Sequence, residues 1–99
     1  MDSLSIAASG IRSSGTRLAA SAHNVANLST RSFKPLRATQ SSLEGGGSVA
    51  HVRQESRARE VDLAGEFVEQ TLASLQFKGS ARVLGVASDM RDRLIDIFA

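Results

Sequence analysis

Apolar residues step by three or four over both ends of this chain, and Pro35 and the run Gly45-Gly46-Gly47 interrupt the pattern between them. Residues three and four apart share one face of an α-helix. Proline cannot continue a helix, and consecutive glycines make a turn or a flexible link. The chain therefore reads as two long amphipathic helices around a short non-helical middle. Neither helix can bury its own apolar stripe. The expected fold is mainly all-α: an antiparallel helical hairpin or coiled coil forming a single domain over residues 1–99. Its parts are an N-terminal helix over 3–28, an irregular or short β-hairpin connector over 29–60, and a C-terminal helix over 61–98.

In the first helix Leu4, Ile11, Leu18 and Val25 recur every seven residues, with Ala8, Gly15 and Ala22 four after each of the first three. That spacing predicts an a/d seam, large residues on one row and small ones on the other. Asp2 or Ser3 is the expected N-cap. Gly10 and Gly15 each cost about 1 kcal/mol of helix propensity, which close approach of a neighbouring helix would repay. The polar run from Asn27 to Ser32 ends the helix. In the middle, Leu36 to Leu43 and Val49 to Val52 are candidates for a small hairpin around the glycine turn.

The second helix carries Val68, Leu72, Leu75, Gly79, Val83, Val86, Met90, Leu94 and Ile97 at steps of three or four. Asp62 is the expected N-cap, and Glu66 adds negative charge to the first turn, where the helix dipole favours it. Leu18, Val25, Leu72, Leu75, Val83 and Met90 are expected to be buried, within one chain or between chains. Glu66, Glu69, Asp89 and Asp92 read as a solvated helix face.

Composition narrows the function. Apolar residues are 41% of the 99-residue chain, but there are four Phe, no Trp and no Tyr, so the core will be thin and stability will lean on a partner. Residues 1–60 carry eight Lys/Arg against four Asp/Glu, and residues 61–99 carry four against six. Opposite signs favour association of the halves with each other or with further copies. A nucleic-acid surface is the weaker reading of the basic half, since its arginines are scattered and no aromatic stacking platform accompanies them.

Little points to chemistry. The chain has no cysteine and two histidines, His23 and His51, in separate segments without ligand spacing. The serine pairs Ser13/Ser14 and Ser41/Ser42 have no plausible His–Asp partners. The triple glycine lacks the Lys-Ser/Thr of a phosphate loop. No enzyme, cofactor, metal or small-molecule substrate is expected. No run approaches membrane-spanning length, and Met1-Asp2-Ser3-Leu4 does not open a cleavable secretory signal. Asn24 and Asn27 stand out, three apart near the end of the first helix. Two roles fit them equally: ending the helix, or polar cross-linking between packed helices that sets register.

Ala8-Ser9-Gly10-Ile11, Leu18 and Ala22-His23-Asn24-Val25-Ala26-Asn27-Leu28-Ser29-Thr30-Arg31-Ser32-Phe33-Lys34 closely resemble the N-terminal signature of bacterial flagellar rod and hook axial proteins. Val61-Asp62-Leu63-Ala64 with Glu66-Phe67-Val68, and the stretch to Ile97, look like the same family's C-terminal segment. Both ends match in order, over about two-thirds of the chain. Two positions depart from the pattern. Ser32 stands where a glycine usually precedes the aromatic, and Ser80 where an asparagine is common. The β-rich domain between the ends is also reduced to a short segment, which makes the chain closest in scale to the short proximal-rod proteins. The resemblance implies a structural subunit of the flagellar basal body in the periplasm, exported through the flagellar type III channel without a cleavable signal peptide. It implies other rod and axial subunits as partners, with self-association, through terminal helices forming the inner layer of a tube. The assembly residues expected on this basis are Leu4, Ile11, Leu18, Asn24, Val25, Asn27, Leu72, Leu75, Val83 and Met90. A generic helical adaptor or chaperone-like hairpin is the alternative.

Overall fold

The computed structural model describes residues 2–98. Helix α1 spans Ser3–Ala26, strands β1 (Leu36–Ser42) and β2 (Ser48–Gln54) follow, and helix α2 spans Leu63–Phe98. The fold is mainly α, with a two-stranded antiparallel sheet between the helices. Local chemistry sets the boundaries. Asp2 caps α1, its carboxylate accepting from Ser5 N at 2.8 Å. Asp62 caps α2, accepting from Gly65 N at 3.2 Å. Asn27 closes α1: its side-chain amide donates to His23 O at 2.9 Å, and its oxygen accepts from Thr30 Oγ1 at 3.0 Å.

The strands pair from Leu36 opposite Gln54 to Ser42 opposite Ser48. Gly45, Gly46 and Gly47 all have positive φ, a backbone region that glycine enters freely. An isolated two-stranded hairpin is marginal in water, and here α1 supports it. Ser48 N donates to Ser9 Oγ at 3.1 Å, and the Ser13 and Ser48 hydroxyls pair at 3.0 Å. Gly46 lies so close to Ile6 that a Cβ there would stand 2.8 Å from Ile6 Cδ1. The hairpin thus lies along α1, its base near Asn24 and its tip over Ile6.

Contacts between the helices pair late residues of α1 with early residues of α2: Asn24 meets Glu66, Arg17 meets Glu69 and Gln76, and Gly10 meets Ser80. α2 therefore runs back along α1. Residues facing across the seam step by three and four, Ala7, Gly10, Ser14, Arg17, Ser21 and Asn24 on α1, and Glu66, Glu69, Ala73, Gln76 and Ser80 on α2. This corrects the expected seam. In the row of Leu4, Ile11, Leu18 and Val25, Leu18 is exposed and the other three are half-buried, and Leu4 borders the exposed stripe of α2. Leu72, Leu75, Val83 and Met90 are exposed as well, Leu75 at 60% and Met90 at 61%. The physical reason is fit. Small side chains on both helices let the backbones approach and place polar groups within reach of one another, which a row of leucines would prevent.

Among the described residues the buried apolar ones are Ala7, Ala20, Pro35, Val61 and Ala73. Phe67, Phe77 and Phe98 are exposed and Phe33 is half-buried. The molecule measures 62 × 23 × 15 Å, and α2, 36 residues long, spans about 54 Å at 1.5 Å per residue.

Candidate assembly interface

Two surfaces of opposite character meet at the helices: a polar seam inside the chain and an apolar stripe outside it. The seam centres on Arg17. Its guanidinium donates to both oxygens of Glu69, at 2.7 and 3.2 Å, to Gln76 Oε1 at 2.8 Å and to Gln40 Oε1 at 3.1 Å. One side chain thereby ties α1 to α2 and to β1. The hydrogen bond to Glu69 holds the guanidinium still more firmly in its charged form. At the end of the seam Asn24 is 1% exposed. Its amide donates to Leu36 O at 2.8 Å and to Glu66 Oε1 at 2.9 Å, and its oxygen accepts from Leu36 N at 2.8 Å. Asn24 thus completes the first backbone pair of β1 as another strand would. Ser21 Oγ adds a bond to Glu66 O at 3.2 Å.

The two asparagines separate. Asn24 is a buried cross-link, and its partners lie within the chain. Asn27 is half-exposed and terminates the helix. Glu66 and Glu69 are not a solvated face, as expected, but half-buried partners of Asn24 and Arg17. Asp89 and Asp92 are exposed. The glycines separate too. A Cβ on Gly10 would collide with Ser80 Oγ, whereas Gly15 has no such neighbour within 4 Å. Ser32, just before Phe33, has φ 53°, in the left-handed region. His23 and Phe33 face each other with ring centroids 5.6 Å apart.

The outer stripe holds Val68, Leu72, Leu75, Val83, Val86, Met90, Leu94 and Ile97, all exposed. With Gly79 they repeat every eleven residues: Val68, Gly79, Met90; Leu72, Val83, Leu94; Leu75, Val86, Ile97. Eleven residues in three turns keeps a stripe nearly straight along a helix, unlike the seven-residue seam that faces α1. A groove of about 610 Å³ opens where the stripe passes the start of α1, lined by Leu4, Val83, Val86, Met90 and Leu94 among others.

Comparison with models of known protein families finds no match, and neither does comparison with curated proteins. Among the described residues, no group of three or more His, Cys, Asp or Glu could hold a metal ion, and no helix is long and apolar enough to cross a membrane.

The seam residues Arg17, Gln76 and Ser80, and the pairing of Glu66 and Glu69, were missed by reasoning that followed large apolar residues. A signal was present: a second three-and-four series, made of small and polar residues, runs beside the apolar one on each helix. The eleven-residue repeat was also legible.

Proposed function

We propose that this protein is a structural subunit of the bacterial flagellar basal-body rod, working as an antiparallel helical hairpin that assembles with axial subunits through α2 and the outer face of α1. One observation carries the reading: α2 satisfies its partner helix with small and polar residues and leaves a continuous apolar stripe exposed along its length. Fully burying a Val, Leu, Ile or Met side chain stabilises by about 1.5–3 kcal/mol. The eight large side chains of the stripe outweigh the three alanines, one proline and one valine buried among the described residues. A chain built this way gains more from its neighbours than from its own core, as an assembly subunit should. The terminal signatures supply the kind of assembly.

The test is fractionation. Antibody to this chain should label purified basal bodies, and deletion of its gene should leave cells without rods and without motility. Normal motility in the deletion strain, with no label on basal bodies, would reject the rod assignment.

A further inference from the structure

The register of the hairpin sets two arginines against each other. Arg37 on β1 stands directly opposite Arg53 on β2. Directly opposed residues of an antiparallel pair project from one face with Cβ atoms about 4.5–5.5 Å apart, and like charges there repel. That face is the solvent side of the hairpin. Leu36, Ala38 and Gln40 are half-buried on the other side, while Arg37, Thr39, His51 and Arg53 are exposed.

The chain beyond β2 adds to the cluster. A cleft of about 580 Å³ is lined by Arg37, Arg53, Arg57 and Arg59, and its one carboxylate is Glu55. Glu55 is engaged by two of the four, accepting from Arg37 Nη2 at 3.2 Å and Arg59 Nη2 at 3.1 Å. Arg59 is occupied at its other nitrogens as well, Nε by Glu55 and Nη1 by Glu60 O. Arg53 and Arg57 donate no side-chain hydrogen bond and enter no ion pair among the described residues. The next carboxylates along the chain are turned elsewhere. Asp62 caps α2, and Glu60 lines the neighbouring cleft with Phe33 and Val61. A two-stranded hairpin is marginal in water, so a repelling pair near its base weakens it. An anion seated between the two guanidinium groups reverses the sign of that contribution.

We propose that this cleft binds a phosphate group, free or as a monoester, held by Arg53, Arg57 and the remaining donors of Arg37. A phosphate monoester carries about −1.5 to −2 charge at pH 7 and three strong acceptor oxygens. Arginine presents a planar fork of N–H donors that fits such oxygens two at a time. One carboxylate does less, as Glu55 shows: it answers Arg59 and part of Arg37 and leaves Arg53 and Arg57 unneutralised. No aromatic side chain lines the cleft, so a nucleic-acid base would find no stacking platform there. None of these residues belongs to the exposed stripe of α2, and the site stands or falls independently of the rod assignment.

The experiment is a titration of the full-length chain with sodium orthophosphate, with sodium chloride holding ionic strength constant, followed by NMR of the arginine Nε–H groups. The Arg53 and Arg57 resonances should shift and saturate, and those of Arg12 and Arg82 should stay in place. Arg53→Gln/Arg57→Gln should weaken binding by about tenfold or more, and Arg12→Gln should leave it unchanged. Phosphate should also raise the thermal midpoint of the parent above its value in chloride of equal ionic strength. Arg53→Gln should raise the midpoint without phosphate, because the facing charge is gone, and should abolish the further rise. Flotation with phosphatidylcholine vesicles, with and without phosphatidic acid, separates the sources. Binding to orthophosphate alone supports the site with a soluble phosphate as its ligand. Binding to phosphatidic acid vesicles that orthophosphate displaces supports it with a lipid headgroup. Three results would each overturn the proposal: a chloride effect equal to that of phosphate, shifts spread evenly over all arginines, or a double variant that binds as tightly as the parent. The resonance shifts are read on the parent chain, so they decide the matter even where a variant fails to fold.

Discussion

Asn24 and Asn27 show how far identity alone carries at the residue scale. Both are amides at the end of α1, yet Asn24 joins three elements and Asn27 only ends one. Asn24→Ala leaves both backbone groups of Leu36 and the Glu66 carboxylate without a buried partner. Each such group costs about 1–3 kcal/mol, so we expect a loss of about 3 kcal/mol in chemical denaturation, against about 1 kcal/mol or less for Asn27→Ala. Equal losses would contradict the division of roles. Ser32 offers the opposite test. An L-residue in the left-handed region costs about 1–2 kcal/mol, part of which glycine returns as unfolded-state entropy. Ser32→Gly should therefore raise stability by about 0.5–1 kcal/mol, seen as a higher thermal midpoint. Glu55 sets a pH dependence. Its hydrogen bond from Arg59, and a second from Arg37, hold the carboxyl below its ordinary value of 4.5. A depressed folded-state value stabilises above the ordinary value and loses that contribution as pH falls through the folded one. The stability difference between the parent and Glu55→Gln should thus be present at neutral pH and shrink once pH drops below 4.5.

For the helices, the deciding quantity is the space between them. Gly10 and Gly15 carry the same propensity penalty, and only Gly10 faces α2. Gly15→Ala should gain about 1 kcal/mol of stability. Gly10→Ala should gain none of it, because Ser80 Oγ and Cβ occupy the place of the new methyl. Thermal melts of the two variants side by side decide the point. An equal gain at both positions would mean that the helices do not meet at Gly10. The hairpin depends on α1 in the same way, with Ser48 resting on Ser9 and Ser13 and Leu36 on Asn24.

For the whole molecule, stability and assembly separate onto different faces. Leu72→Ser with Leu75→Ser removes two exposed side chains from the stripe and nothing from the seam. The dilute chain should keep its thermal midpoint, since surface substitutions change stability by only about 0.5 kcal/mol, while any association through the stripe is lost. A large fall in the midpoint would place these leucines inside the chain after all.

Much of the architecture followed from the sequence alone. Pro35, the glycine run, Asp2, Asp62 and the three-and-four spacing set two helices with a hairpin between them, because these are local effects of backbone geometry and capping. Which face each helix turns toward the other was settled only by tertiary structure. Hydrophobicity marks a stripe that wants burial without saying what will bury it. Here the chain used Gly10, Ser14, Ser21, Ala73 and Ser80 to bring its helices together and Arg17, Asn24, Glu66 and Glu69 to hold them, since close backbone approach and satisfied polar groups depend on residues distant in sequence. The leucines were left outside, on a surface that a single chain cannot cover.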